Sequence, residues 1–187
     1  MIVRDLVRDD AGAVRQLLTA AFADDGRVAD LAEALDARPD RPGVALVADV
    51  DGAPVGHVQL SRGWVDATPR LAEVLILSPL GVLPAYQRQG VGRALCAAAV
   101  QRAEHLGVPA VFLEGDPGYY AKLGWERSST RGFSAPSTRI PEVGFQVVVL
   151  PAWQTWMTGP VVYNDTFWAA DCVGLREQGR PPADTAS

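Results

Sequence analysis

Apolar residues recur every three or four positions in two segments near the start of the chain, residues 11–22 and 27–37. This spacing places them on one face of an amphipathic helix, and the proline-rich stretch 38–43 ends the second segment. The preceding residues 1–6 carry side chains compatible with a strand. The pattern therefore predicts a strand followed by two helices.

Strand patterns follow in the middle of the chain. Two β-rich runs, 44–50 and 54–62, surround the dipeptide Asp51-Gly52 and predict a hairpin. A longer apolar run at residues 71–83 predicts a third strand. Together these runs indicate the antiparallel part of a sheet.

A βαβ unit is predicted next. Helical spacing extends from about Gln89 to Leu106, and a short strand follows at residues 110–114. Because a helix joins two strands within a short span, strands 72–82 and 110–114 should be parallel, with a right-handed crossover. A short helix at residues 118–124 and a strand at residues 145–150 complete the predicted elements.

Length and composition fit one soluble globular domain: the chain has 187 residues, of which 48% are apolar and 21% are charged. No apolar run approaches the about 18 residues that span a bilayer. The start, MIVRDLVRDD, lacks the basic and apolar regions of a signal peptide. We therefore expect a cytoplasmic protein without a membrane partner.

Charge and cysteine content bear on partners and metals. A net charge of −5 and an isoelectric point near 5.0 argue against nucleic acid, which binds basic faces. Cys96 and Cys172 form neither a metal-type cluster nor a disulfide framework, and Cys96 falls within the predicted helix core. We expect no metal cofactor.

The stretch PAYQRQGVGR, residues 84–93, carries the strongest chemical signal. It follows a predicted strand and opens a helix, so free N–H groups and the helix dipole point to one place. Gly90 and Gly92 expose the backbone there, and Arg88 and Arg93 add positive charge. A pyrophosphate suits this loop, although a plain helix start with incidental glycines would look similar.

Two other phosphate loops fit poorly. A Walker A loop ends in Gly-Lys-Ser/Thr, which this loop lacks. A Rossmann fingerprint would need glycine or alanine where Leu95 stands, although Glu114 lies at the distance of a ribose-binding acid. The Tyr119-Tyr120 pair is also not followed four residues later by the lysine of a reductase pair.

The loop and a second motif together resemble a known family. Residues 87–92, QRQGVG, match the Q/R-x-x-G-x-G/A pyrophosphate motif of the GNAT N-acetyltransferases, and GVLP before them is similar to the end of that family's cofactor-binding strand. GDPGYYAKLGW, residues 115–125, resembles the family's second motif. With PVGHVQLS and GPVVYNDTF, residues 1–168 look most like the YhbS-like branch of predicted bacterial acetyltransferases.

The resemblance implies an α/β GNAT fold, with a mixed central sheet, splayed parallel strands and flanking helices. It implies a single acetyltransferase domain over residues 1–168, and we expect the C-terminal extension, 169–187, to be loosely ordered. Acetyl-CoA would be the co-substrate. Its pantetheine arm would bind main-chain groups of Leu80, Gly81 and Val82. Its diphosphate would lie on Arg88, Gln89, Gly90, Val91, Gly92 and Arg93.

The resemblance also implies how the acetyl group is transferred. A primary amine would attack the thioester directly in a ternary complex, with the Val82 N–H as oxyanion donor. Tyr120, four residues before Gly124, occupies the family's acid position. It would contact the cofactor and protonate the coenzyme A thiolate. Tyr119 should face elsewhere and pack.

Several residues are candidates for the base that deprotonates the amine. Glu114 ends the strand 110–114 beside the expected splay, where some relatives carry a base; it is equally typical of an exposed strand end. Glu73, His57 and water are alternatives, and His57 also fits a hydrogen-bonded core histidine. His105 should only complement the dipole of its helix.

Three functions remain open. The chain is an N-acetyltransferase for a small-molecule amine, an acetyltransferase for a protein N-terminus or lysine, or a non-catalytic module that binds acyl-CoA. The tryptophans of residues 151–168 could line an acceptor pocket, or they could belong to a core or a homodimer interface. Acidic residues in the first helices suit a cationic amine, and a solvated face equally well.

Overall fold

The computed structural model describes residues 1–175, in which the elements that the hydrophobic pattern predicts occur in the predicted order, with further short elements after α4. The strands are β1 Ile2–Asp5, β2 Ala45–Val50, β3 Ala53–Ala67, β4 Arg70–Val82, β5 Ala110–Glu114, β6 Glu126–Arg127, β7 Phe133–Ser134, β8 Phe145–Val149 and β9 Gly159–Tyr163. The helices are α1 Ala11–Phe22, α2 Arg27–Asp36, α3 Val91–His105, α4 Pro117–Tyr120 and α5 Asp165–Ala169. Within the described range, no helix is both long and apolar enough to cross a membrane.

The main sheet has the strand order β1-β2-β3-β4-β5-β8-β6. β4 and β5 are parallel, which confirms the predicted pairing, and the other neighbours in this order are antiparallel. β3 is long enough, at 15 residues, to pair first with β2 and then with β9 along the same edge. The predicted α/β class with a mixed sheet is therefore confirmed.

Different helices cover the two faces of the sheet. α3 packs on one face, where Leu95 and Cys96 are buried against β3 and β4. α1 and α2 cover the other face. Two glycines allow this close packing, because a Cβ at Gly56 would lie 2.8 Å from Leu95 and one at Gly81 would lie 2.8 Å from Leu18.

The parallel strands β4 and β5 separate after a short paired stretch. They pair only at Leu75 with Val111 and at Ile76 with Phe112. β4 nevertheless continues to Val82, so its later residues have no neighbour on the β5 side. The space between the diverging strand ends is called the gap below, and it confirms the expected splay.

A β-bulge in β4 accompanies the divergence. Leu77 pairs with Leu60, and Leu80 pairs with Val58, so the dipeptide 78–79 faces a single residue of β3. Its second residue is a proline, which has no N–H to donate to a neighbouring strand and is compatible with a bulge. A bulge bends its strand, and this one lies where β4 leaves β5.

The end of the described chain differs from the expectation of loose order. Residues 170–175, called the C-terminal segment, pack against the body of the protein, and Val173 is 1% exposed. The Leu175 N–H donates to the Arg139 carbonyl at 3.1 Å, and Arg139 Nη2 donates to the Val173 carbonyl at 2.9 Å. β9 and α5, which the hydrophobic pattern did not predict, carry the chain to this position. The rest of the expected extension, 176–187, lies outside the described residues.

Candidate active site

An anion-binding geometry forms where the loop after β4 enters α3. Arg88 and Gly90 adopt left-handed backbone angles, with φ of +60° and +88°. The first three N–H groups of the helix, at residues 91–93, have no acceptor one turn earlier, since the first helical bond runs from the Ala94 N–H to the Gly90 carbonyl at 3.0 Å. These donors and the helix dipole favour a bound anion.

Two exposed arginines flank this helix start. Arg88 and Arg93 form no ion pair with any residue of the described range 1–175. A Cβ at Gly92 would lie 2.7 Å from the Tyr119 hydroxyl, so the absence of a side chain lets that hydroxyl approach the helix start. Tyr119 was expected only to pack, and the structure places its hydroxyl beside the loop.

Two glutamine side chains bond to main-chain carbonyls in and before the loop, and one of them ties the loop to the end of β4. Gln87 Nε2 donates to the Val82 carbonyl at 3.1 Å, and Gln89 Nε2 donates to the Ala85 carbonyl at 2.8 Å. Gln89 was predicted to bind the cofactor, whereas in the structure its side-chain amide donates to the main chain of its own loop. The first glutamine of the QRQGVG motif thus connects the anion site to the gap.

The main chain at the end of β4 presents donors to the gap. The Leu83 N–H donates to the Val55 carbonyl at 2.9 Å and so faces β3. Because N–H groups alternate in direction along a strand, the N–H groups of Leu80 and Val82 point to the opposite side, into the gap. The Gly81 N–H faces β3 by the same rule. Two of the three predicted pantetheine positions therefore have an N–H available.

A cavity of about 630 Å³ lies at the mouth of the gap. The ends of β4 and β5, α4, the start of α2 and the C-terminal segment form its walls. Three predicted site residues, Leu80, Glu114 and Tyr120, line this cavity, and the bulge residues Ser78 and Pro79 line it too. The structure thus brings the candidate acid and the candidate base to one cavity.

Tyr120 is held in the cavity wall by its ring. The ring packs edge-on against Trp125 and Tyr119, with centroid distances of 5.9 and 4.9 Å. A side chain at Gly115, directly after β5, would collide with the Tyr120 ring, so this glycine makes room for it. Burial raises the pKa of Tyr120, and its hydroxyl therefore stays protonated at neutral pH.

Glu114 extends from the end of β5 into the cavity. Its Oε2 accepts a hydrogen bond from the Gly174 N–H at 3.0 Å, which joins it to the C-terminal segment. It forms no ion pair with a cation of residues 1–175. Solvent reaches the side chain through the cavity, yet the protein atoms around the carboxylate partly bury it and raise its pKa. A carboxylate with a raised pKa is a suitable proton acceptor.

The other titratable candidates lie elsewhere. His57 is 1% exposed, its Nδ1 lies 3.0 Å from the Leu46 carbonyl, and burial lowers its pKa to about 4, as for a neutral core histidine. Glu73 pairs with Arg62 at 3.0 Å on the early part of β4, away from the gap. Burial raises the pKa of the Cys96 thiol to about 11, so it is a poor nucleophile.

The acidic charge of the cavity does not come from the first two helices. Glu114, Asp116 and Asp171 line the cavity together with one cation, Arg27. Acidic residues of α2 instead pair with arginines on the protein surface. The excess of carboxylates suits a cationic ligand. Among residues 1–175, no group of His, Cys, Asp and Glu could hold a metal ion.

The tryptophans near the end of the chain do not line the cavity. Arginine side chains lie over the rings of Trp153, Trp156 and Trp168 at 4.9 to 6.0 Å. The C-terminal segment lines the cavity instead, and the sequence pattern assigned no role to this segment.

The bulge in β4 could have been predicted from the sequence. Pro79 is the signal, because proline within a long strand is typical of a bulge.

The chain is similar to proteins of a known family. A model described as "Acetyltransferase (GNAT) family" matches residues 12–125. The uncharacterized N-acetyltransferase YjhQ of Escherichia coli (strain K12) is 32% identical over 136 residues, which cover 72% of this chain and 75% of that protein.

Two solved structures share the fold over most of their length. The GNAT family N-acetyltransferase YhbS from Escherichia coli, in complex with CoA, is 26% identical with a TM-score of 0.78, covering 89% of this chain and 91% of that one. A GNAT family acetyltransferase from Brucella melitensis, in complex with acetyl-CoA, is 25% identical with a TM-score of 0.71, covering 89% and 97%.

Proposed function

The chain belongs to the GNAT family of acetyltransferases, and from this we propose that it transfers the acetyl group of acetyl-CoA to a primary amine of a small molecule. The co-substrate is supported by the CoA and acetyl-CoA in two solved structures of the same fold. In this chain, the diphosphate would bind the free N–H groups at residues 91–93, flanked by Arg88 and Arg93. The pantetheine arm would enter the gap beside Leu80 and Val82.

The proposed reaction is a direct attack in a ternary complex. Glu114 accepts a proton from the ammonium, whose pKa in water is roughly 10. The amine nitrogen then attacks the thioester carbon, and the Val82 N–H stabilises the oxyanion. After the C–N bond forms, the C–S bond breaks, and Tyr120 gives its proton to the departing thiolate. The nitrogen keeps one proton in the amide and releases its other proton to solvent, and solvent returns a proton to the Tyr120 phenolate.

One observation carries this proposal: Leu80, Glu114 and Tyr120 line the same cavity at the mouth of the gap. Its volume, about 630 Å³, is in the range of small-molecule sites, whereas a protein N-terminus or lysine would need an open cleft. A screen of amines that detects free coenzyme A thiol tests the activity. If acetyl-CoA binds but no amine releases the thiol, the chain is a binding module instead.

Arg88→Ala and Arg93→Ala should each weaken acetyl-CoA binding by less than about tenfold, because the main-chain donors remain. Both arginines are exposed, so salt screens their contribution. Titration calorimetry at low and high salt should show the larger loss at low salt. A loss at either residue that is independent of salt would contradict a purely electrostatic role.

Glu114→Gln should lower kcat/KM by about 100-fold at neutral pH and by less at high pH, where more of the amine is already deprotonated. The raised pKa of Glu114 gives the sign at acid pH: below this pKa the carboxyl is protonated, so wild-type activity falls there. The variant should lack the fall that the Glu114 pKa sets, and its activity should instead rise with pH as the amine loses its proton. A pH profile of thiol release measures both effects.

Glu73→Gln is the matched control, since Glu73 is a partly exposed carboxylate that pairs with Arg62 outside the cavity. It should leave the acid limb in place. A loss in Glu114→Gln that is equal at every pH would assign Glu114 to substrate positioning. No loss at all would assign the role of base to water.

A further inference from the structure

Behind Glu114 lies a small chamber of about 100 Å³ that adjoins the main cavity. Its lining includes Tyr163 at the end of β9, Phe167 of α5 and Cys172 of the C-terminal segment. Glu114 lines both spaces, so its side chain lies between the main cavity and this chamber.

The Tyr163 hydroxyl is fully buried and makes no hydrogen bond of good geometry within residues 1–175. The Glu114 carboxylate is near enough that each group affects the other's pKa: burial and this carboxylate raise the pKa of Tyr163, and the phenol acts to lower that of Glu114. A buried hydroxyl without a partner is costly, and catalytic hydrogen bonds are often long in free enzymes and shorten when substrate binds.

We propose that Tyr163 is a positioning residue, whose hydroxyl donates to the Glu114 carboxylate and orients it, together with the Gly174 N–H, toward the acceptor amine. The two donors come from β9 and the C-terminal segment. The catalytic role of Glu114 rests on the proposed function, whereas the contact between Tyr163 and Glu114 does not.

The chain reaches this arrangement through long-range pairing. Tyr163 pairs with Gly63 of β3, and Asn164 directly after it donates to the Arg62 carbonyl at 2.9 Å. The Asn164 side chain also accepts the Thr166 N–H at 3.1 Å, which starts α5. The phenol is therefore fixed by the sheet, as a positioning residue requires.

The charged and titratable groups around the Glu114 carboxylate decide whether its pKa should rise or fall in a variant. They are Tyr163 from β9, Arg139 from the loop before β8, Cys172 and Asp171 from the C-terminal segment, Asp116 before α4, and Arg27 of α2. Tyr163→Phe removes only the Tyr163 hydroxyl and leaves the other groups in place. Because a donor stabilises the charged carboxylate, its loss should raise the pKa of Glu114.

Tyr163→Phe should therefore move the acid limb of the kcat/KM profile upward by about one pH unit. We expect kcat to fall at neutral pH and the KM for acetyl-CoA to stay unchanged. The carboxyl pKa of Glu114, followed by NMR of ¹³C-labelled glutamate in the presence of coenzyme A, should rise by the same amount. Ser128→Ala, which removes another buried hydroxyl that donates to the Phe145 carbonyl, should lower stability without moving this pKa.

An unmoved Glu114 pKa in folded Tyr163→Phe would overturn the inference, whatever the turnover. A shifted pKa in a protein that releases no coenzyme A with any amine would keep the contact and overturn the proposed acetyl transfer. If Tyr163→Phe does not fold, fluorotyrosine incorporation replaces it. A more acidic phenol is a stronger donor, so the Glu114 pKa should then fall, and an unchanged value would equally refute the contact.

Discussion

Replacing Gly92 with aspartate should abolish acetyl-CoA binding and leave the protein folded. Gly92 is the second residue of α3, within the run of free N–H groups where we place the diphosphate. Two like charges about 4 Å apart repel by about 4 kcal/mol at an effective dielectric constant of about 20, which corresponds to about 10³-fold in affinity. Titration calorimetry with acetyl-CoA measures this loss.

The fold should tolerate the new side chain. A carboxylate near a helix start is stabilising, and the nearest obstacle is the Tyr119 hydroxyl, at the end of a side chain that is 39% exposed and can turn away. Gly92→Asn, which has the same size without the charge, should weaken binding less. Gly12→Asp is the matched charge control, because Gly12 is the second residue of α1 and a Cβ there meets nothing within 4 Å. Unchanged affinity in folded Gly92→Asp would overturn the diphosphate site.

The elements that could be predicted from the sequence are those in which the positions of the apolar residues show which side is buried. In α1 and α2 the apolar positions form one stripe, because each helix has one face on the sheet. β5 could be read as a continuous apolar run because it is buried between two strands and two layers. The anion loop was equally readable, since left-handed Gly90 and the helix start are local features.

Contacts between distant segments could not be read in this way. β9 is a short strand that pairs with β3 about one hundred residues earlier, and nothing in its own pattern specifies that partner. The C-terminal segment depends on β9, so its bond from Gly174 to Glu114 was equally hidden. His57 shows the same limit: alternation puts it on one face of β3, but only the packed helices show that this face is closed to solvent.

Tyr120→Phe should slow acetyl transfer by about 100-fold, with little change in acetyl-CoA affinity or thermal stability. The variant keeps the ring that packs against Trp125 and beside Gly115, and it loses only the hydroxyl. A lost general acid typically costs at least this much in rate. Single-turnover measurement of thiol release separates the chemical step from binding.

The raised pKa of Tyr120 determines when its hydroxyl can give up a proton. A thiol has a pKa of about 8.5, so the phenol is the weaker acid and should give up its proton only as the C–S bond breaks. It also stays protonated in base, so its titration should cause no loss of activity below about pH 10. Tyr119→Phe is the matched control, because its hydroxyl lies beside Gly92 and should affect acetyl-CoA binding more than the chemical step. If Tyr119→Phe is the slower variant, or if both variants react like wild type, the acid is not Tyr120.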